Sequence, residues 1–183
     1  ADRLVLAVSA ATASILLAPI APEAADLMFE VESSPLIVAQ AGFECGQLPG
    51  LRNGYGYLVP RCTRLRTLGW IFESHLFPER APEGKVAMRG FLGGVLDPLA
   101  IDLPDDLMRH LLMGELALTL GQRKLPVPEV FRLVRGKNRL PQYNVGHLRR
   151  MDAVRRLLRA AMPEVALAGN WITGISVDAC VKR

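Results

Sequence analysis

A chain of 183 residues, 50% of them hydrophobic and 22% charged, has the length of one ordinary domain and enough apolar material for a packed core, which excludes a disordered polymer. Its 22 lysines and arginines are met by 18 acidic residues, and the resulting net charge of +4 is too modest and too mixed to argue for nucleic-acid binding. Cys45, Cys62 and Cys180 are odd in number and widely spaced, and His75, His110 and His147 are scattered, so neither a disulfide framework nor a metal site is expected and a reducing compartment is the default reading.

Residues 3–8 (RLVLAV) are apolar on both alternating faces and read as a fully buried strand of the kind parallel α/β sheets require. The longer run 4–18 imitates a signal peptide, with Arg3 as its basic flank. Asp2 and the polar Ser9, Thr12 and Ser14 spoil the imitation, so a strand feeding a helix is the main reading and a targeting segment the alternative. The run is too short to cross a bilayer. Ala11 to Ala18 favours helix, Pro19 and Pro22 interrupt it, and Glu23 to Glu30 continues as a second helix.

From Leu36 to Gly94 short β-prone runs alternate with Gly and Pro: 36–43, 55–60, 67–74 and 85–94, separated by the loops 44–54 and 77–84. This spacing predicts an antiparallel sheet. Pro104, Asp105 and Asp106 open a helix over 104–120 that Gly121 closes, with Leu107, Leu111, Leu112, Leu116, Leu118 and Leu120 as its apolar stripe. A strand is predicted over 127–134. A second helix over 146–161 sets Leu148, Met151, Val154, Leu157, Leu158 and Ala161 against five arginines, and Pro163 stops it. A short buried strand at 165–168 then runs through Gly169-Asn170 into a final turn at Gly174 and a helix. The expected fold is therefore mixed α/β (α+β), with parallel-type strands from the two ends meeting in one sheet and residues 36–135 forming a separate antiparallel layer.

Three ordered segments carry a resemblance: GYGYLVP (54–60) with IFESHLFPERAPEG (71–84) and FLGG (91–94), RLPQYNVGH (139–147), and LAGNWITGISVDACV (167–181). Together they resemble the C-terminal portion of the protoporphyrinogen oxidase family, a branch of the flavin amine-oxidase superfamily. The resemblance divides the chain into 1–34, part of an FAD-binding domain; 35–139, a substrate-binding domain; and 140–183, the C-terminal part of the FAD-binding domain. It implies FAD as cofactor, with Gly169, Asn170, Gly174, Ile175, Ser176 and Val177 beside the flavin, and a porphyrinogen substrate lined by Tyr55, Gly56, Leu58 and Phe91. The activity it implies is oxygen-dependent oxidation of protoporphyrinogen IX to protoporphyrin IX in haem biosynthesis, with hydride removal carried by the flavin and no catalytic side chain. Coproporphyrinogen III oxidation, another flavin amine oxidase, and a non-catalytic porphyrin- or partner-binding module are the alternatives. A cytoplasmic enzyme is implied, with peripheral attachment to the inner membrane and a homodimer both compatible. Two positions depart from the family pattern: Gly136 stands where a Trp is frequent before the Pro-Gln-Tyr segment, and Ala179 where an Asp commonly precedes the Cys.

Physical chemistry supports the cofactor assignment, because a flavin's pyrimidine oxygens gain negative charge on reduction and call for main-chain N–H donors. Without the resemblance, Gly174–Val177 reads as a tight turn, and Tyr55, Leu58 and Phe91 as core residues. The arginines of 146–161 then make a solvated helix face, His147 an internal hydrogen-bonding partner, Pro141–Tyr143 a turn and Cys180 a small buried hydrophobe. No Gly-x-Gly-x-x-Gly follows a strand anywhere, since NGYGY at 53–57 lacks the third glycine and the helix. The expectation is a fragment or one half of a two-part protein, lacking an N-terminal dinucleotide-binding half and binding FAD poorly alone.

Overall fold

The structure, a computed structural model, describes residues 2–48, 51 and 53–181. Pro49, Gly50 and Arg52 of the predicted loop 44–54, and the chain's extreme residues Ala1, Lys182 and Arg183, lie outside the described residues. In chain order the elements are β1 (Leu4–Leu6), α1 (Ala10–Leu17), α2 (Pro22–Phe29), β2 (Ser33–Glu44), β3 (Gly56–Leu58), β4 (Thr67–Ile71), α3 (Glu73–Leu76), β5 (Lys85–Gly93), α4 (Asp105–Thr119), β6 (Val130–Pro141), α5 (His147–Ala161), β7 (Val165–Leu167) and α6 (Val177–Val181). They form two compact units, one built from the chain up to Ser33 and from Leu140 onward, the other from Ser34–Arg139.

In the first unit β1 and β7 pair in parallel, with Leu4 opposite Val165 and Leu6 opposite Leu167, so the two ends of the chain share a sheet as the sequence suggests. Ser9 caps α1 by accepting the Thr12 N–H on its hydroxyl at 3.2 Å. α1, α2 and α5 contribute Ala13, Leu17, Ala24, Met28, Met151, Val154 and Leu158 to one apolar core, joined by Trp171 and Ile172. Arg150 of α5 pairs with Glu30 at 2.8 Å, just past α2. β1 corrects the sequence reading. Leu4 and Val5 are 47% and 61% exposed, because in a sheet of two strands β1 has an open edge and is only partly covered, while Val165 opposite Leu4 is buried.

The second unit is a five-stranded sheet in the order β3-β4-β5-β2-β6, with the β3/β4, β4/β5 and β5/β2 pairs antiparallel. One face carries Ile37, Ala39, Ala41, Phe43, Trp70, Val86, Met88 and Leu92, and α4 covers it with Met108, Leu112, Leu116 and Ala117. Leu107 and Leu118, placed in the α4 stripe from sequence, are exposed instead. At 100° per residue they fall about 80–180° away from Met108, Leu112 and Leu116, off the covered face. The same geometry leaves Leu148 of α5 exposed while His147, Met151, Val154 and Leu158 are buried; Ala161 falls on the buried side but is exposed as the last residue of the helix. The run 67–74 stops being strand at Ile71, and Glu73 begins a helical turn. The strand predicted at 127–134 starts only at Val130, since Pro126 and Pro128 have no N–H to give a ladder, and it continues to Pro141. Among the described residues no helix is long and apolar enough to cross a membrane.

Candidate functional site

The turn after β7 is built by side chains that pin its backbone. Ala168 N–H still donates to Leu6 O at 3.0 Å, after which Gly169 takes φ +152°. A Cβ on Gly169 would lie 2.8 Å from the Trp171 Nε1, and one on Gly174 would lie 2.5 Å from the Ala179 Cβ. Both glycines are therefore explained by close approach of the chain's own side chains, Trp171 and Ala179, rather than by room for a ring. Trp171 is buried and donates its indole N–H to Val8 O at 2.8 Å. Further on, Ser176 accepts the Ala179 N–H on its hydroxyl at 3.1 Å, opening α6.

The main-chain N–H groups of Ile175, Ser176 and Val177 find no acceptor among the described residues. The Ile175 and Val177 side chains are 70% and 82% exposed, so this stretch is open to a ligand. Its attraction for an electron-rich group comes from the N–H donors themselves, because five described residues of α6 give too short a helix for much of a macrodipole. A set of free donors on one exposed turn fits a flat group that carries carbonyl oxygens. A crevice of about 500 Å³ opens beside β7, walled by Arg155, Leu158 and Arg159 of α5 and by Gly169, Ile172 and Cys180. Of the six positions singled out for the flavin, only Gly169 borders it. The other five lie together on the turn outside.

Two residues of the Pro-Gln-Tyr-x-x-Gly-His segment act on this turn; the sequence reading of His147 as an internal hydrogen-bonding partner holds, while the part of Tyr143 and the target of both were missed. Tyr143 donates its hydroxyl to Asn170 O at 2.6 Å, and His147, buried at the start of α5, bonds Ile172 O through Nε2 at 3.1 Å. Burial pushes the Tyr143 phenol up, Cys180 adds to the shift, and the Gly174 N–H opposes it.

The four positions singled out for substrate lie in the sheet unit. Leu58 stands opposite Gly69, Gly69 opposite Phe91, and Phe91 opposite Val38, so Leu58 and Phe91 share the sheet face that α4 does not cover. Neither is a core residue, which corrects the bare alternation reading. Tyr55 is exposed and precedes β3, its carbonyl accepting the Phe72 N–H at 2.9 Å. Gly56 is required by strand pairing, since a Cβ there would meet Trp70 O at 2.0 Å. Arg89 lies on the same face as Phe91 and pairs with the buried Glu73 at 2.5 Å, which Arg80 also reaches at 2.9 Å. No sequence signal announced this pairing of two guanidinium groups on one carboxylate.

Comparison with known proteins places these features in a family. The family model described as flavin containing amine oxidoreductase matches residues 1–182. The chain is 27% identical to the chloroplastic protoporphyrinogen oxidase of Oryza sativa subsp. japonica, over 100% of this chain and 35% of that protein. It is 28% identical to the Homo sapiens protoporphyrinogen oxidase over 100% and 38% of the two chains, and 26% identical to the coproporphyrinogen III oxidase of Bacillus subtilis (strain 168) over 78% and 30%. The chain thus spans roughly a third of the length of these relatives. In fold it resembles a crystal structure from Exiguobacterium sp. 255-15, with a TM-score of 0.83 at 22% identity over 100% of this chain and 39% of that one. It also resembles the cyclohexylamine oxidase of Brevibacterium oxydans IH-35A, with a TM-score of 0.62 at 14% identity over 93% and 37%. With a family model covering the chain nearly end to end and the same mixed fold in its structural neighbours, the chain belongs to the flavin-containing amine oxidoreductases.

Proposed function

We propose that this chain supplies the flavin-facing turn and the substrate sheet of an FAD-dependent oxidase that converts protoporphyrinogen IX to protoporphyrin IX in porphyrin biosynthesis. The observation that carries the reading is the exposed turn 174–177, whose Ile175, Ser176 and Val177 N–H groups are unclaimed within the described chain. The relatives named protoporphyrinogen oxidase support the choice of substrate. In this reading Gly169, Asn170, Gly174, Ile175, Ser176 and Val177 hold the flavin. Bound FAD would supply hydride acceptance from a ring-bridging carbon of the substrate.

This chain's own residues then bind and orient. The turn's donors hold the electron-rich edge of the cofactor at fixed distance. Tyr55, Gly56, Leu58 and Phe91 offer an apolar surface to a broad, flat macrocycle, and apolar lining also keeps water away from the reacting carbon. A dinucleotide-binding half with the glycine fingerprint absent from this sequence would complete the FAD site. Coproporphyrinogen III is the second substrate reading, favoured by the Bacillus subtilis relative.

The test is the visible spectrum and turnover of the full-length gene product. A bound flavin band, with porphyrin fluorescence growing from protoporphyrinogen IX under air, is the expected result. Faster turnover of coproporphyrinogen III would move the assignment to the second substrate, and a colourless, inactive protein would remove the oxidase reading altogether.

A further inference from the structure

We propose that Tyr143 and His147 form a stacked positioning pair that fixes the path of residues 170–174 and so aims the donors that follow it. The inference deepens the flavin reading above and rests on it.

The pair is preformed by local structure. Gly146 takes φ +89°, a conformation that suits glycine, and this sharp entry starts α5 at His147. The Tyr143 and His147 rings stack with centroids 4.2 Å apart and planes 10° from parallel. From this stack each ring reaches one main-chain carbonyl of the turn, Tyr143 that of Asn170 and His147 that of Ile172. Between these two carbonyls the Trp171 indole is tied to Val8 O. Three consecutive residues are thus tied down, Asn170 and Ile172 by side chains from elsewhere in the unit and Trp171 by its own indole on the Val8 carbonyl. All of these bonds engage either carbonyls or the indole, and none uses the N–H groups of 175–177.

Two details separate positioning from packing. A carbonyl acceptor requires Nε2 to carry a proton, and Nδ1, buried, has no partner among the described residues. A leucine would fill the same space without stranding a polar atom, so the imidazole is explained by the bond that Nε2 makes. Tyr143 is 40% exposed, and an exposed phenol bonded to a carbonyl adds little to folding stability. What it does add is direction.

The experiment uses the full-length flavoprotein with His147→Leu, His147→Gln and Tyr143→Phe, reading the FAD dissociation constant, the flavin absorption envelope, kcat per bound flavin, KM and Tm. His147→Leu is expected to weaken FAD about tenfold, the effect of losing one aimed hydrogen bond, and to lower kcat per bound flavin with KM for the porphyrinogen unchanged. His147→Gln, whose amide N–H reaches the Ile172 carbonyl, should recover most of that loss. Tyr143→Phe should weaken FAD about threefold with Tm nearly unchanged. If His147→Leu fails to fold, the other two variants carry the test. A wild-type protein without flavin overturns the parent reading and this inference together. A wild-type flavoprotein whose variants keep their FAD affinity, spectrum and kcat, losing only Tm, overturns the positioning role and leaves the parent reading standing. So does His147→Gln behaving like His147→Leu.

Discussion

Glu115, projecting from α4, accepts the main-chain N–H of Thr67 at 2.8 Å and so anchors the helix to the first residue of β4. Its second carboxylate oxygen accepts the Arg66 N–H, also at 2.8 Å. Thr67 opens the pairing of β4 with β5, just before the register shift between Thr67 and Gly69, and it is buried, so no solvent is at hand to replace the carboxylate there. Glu115→Ala should lower stability by about 2–3 kcal/mol, the cost of stranding two N–H groups. Glu115→Gln, which keeps one carbonyl oxygen, should lose less. Equilibrium denaturation of the three proteins checks both values.

Gly90 lies opposite Trp70 in the β4/β5 register, and a Cβ on it would sit 2.7 Å from the indole. Trp70 is buried beneath α4 in the core of the sheet unit and has nowhere to retreat. Gly90→Ala should therefore destabilise by about 1–3 kcal/mol through overpacking. It should also change the near-ultraviolet circular dichroism of the tryptophans, and Trp70→Phe in the same chain should recover part of the loss.

The long strands and helices were legible because their patterns repeat. Residues 36–43 of β2 and 85–92 of β5 alternate half-covered and buried positions without a break, and α4 and α5 carry helical spacing between a proline or glycine at each end. What failed was the assignment of burial. Leu4 and Val5 look like interior residues by composition, yet exposure depends on how many strands flank them. Leu107 and Leu118 could be told from Leu112 only by knowing which way α4 turns toward the sheet. The turn after β7 was visible through its glycines, but the residues that hold it, Tyr143, His147 and Trp171, act across 25 or more positions of sequence, and such hydrogen bonds leave no periodic trace. The Glu73 carboxylate between Arg80 and Arg89 is hidden for the same reason.

Tyr57 gives a pH-dependence. Its hydroxyl is hydrogen-bonded to the Thr119 hydroxyl at 2.6 Å, and Thr119 also bonds Leu116 O. Burial pushes its pKa up from 10.0 to about 12; the Thr119 bond works against this and Glu115 with it. Below the unfolded value of 10.0 the phenol is neutral in both states and its contribution to stability is intact. Between pH 10 and about 12 the unfolded chain ionises first, so stability falls across that window. Denaturation midpoints measured over this range should drop less steeply in Tyr57→Phe than in the parent. Absorbance at the tyrosinate band should show a phenol titrating near pH 12, and its loss in the variant assigns it to Tyr57.

Gly174 and Ala179 offer a test of the turn proposed for the flavin, and it needs no cofactor. With a Cβ on residue 174 the two methyl carbons would be 2.5 Å apart, well inside van der Waals contact, and Gly174 is not among the left-handed glycines, so the clash alone decides the outcome. Gly174→Ala should cost about 1–3 kcal/mol as the turn is forced away from α6. Ala179→Gly alone should cost about 0.5–1 kcal/mol, the usual helix penalty of glycine. If the contact is the whole cause, the double variant will be more stable than Gly174→Ala, because removing the second methyl relieves the overlap. Equilibrium denaturation around this two-residue cycle gives the coupling directly. Strictly additive losses would mean that residue 174 must be glycine for its backbone and not for Ala179.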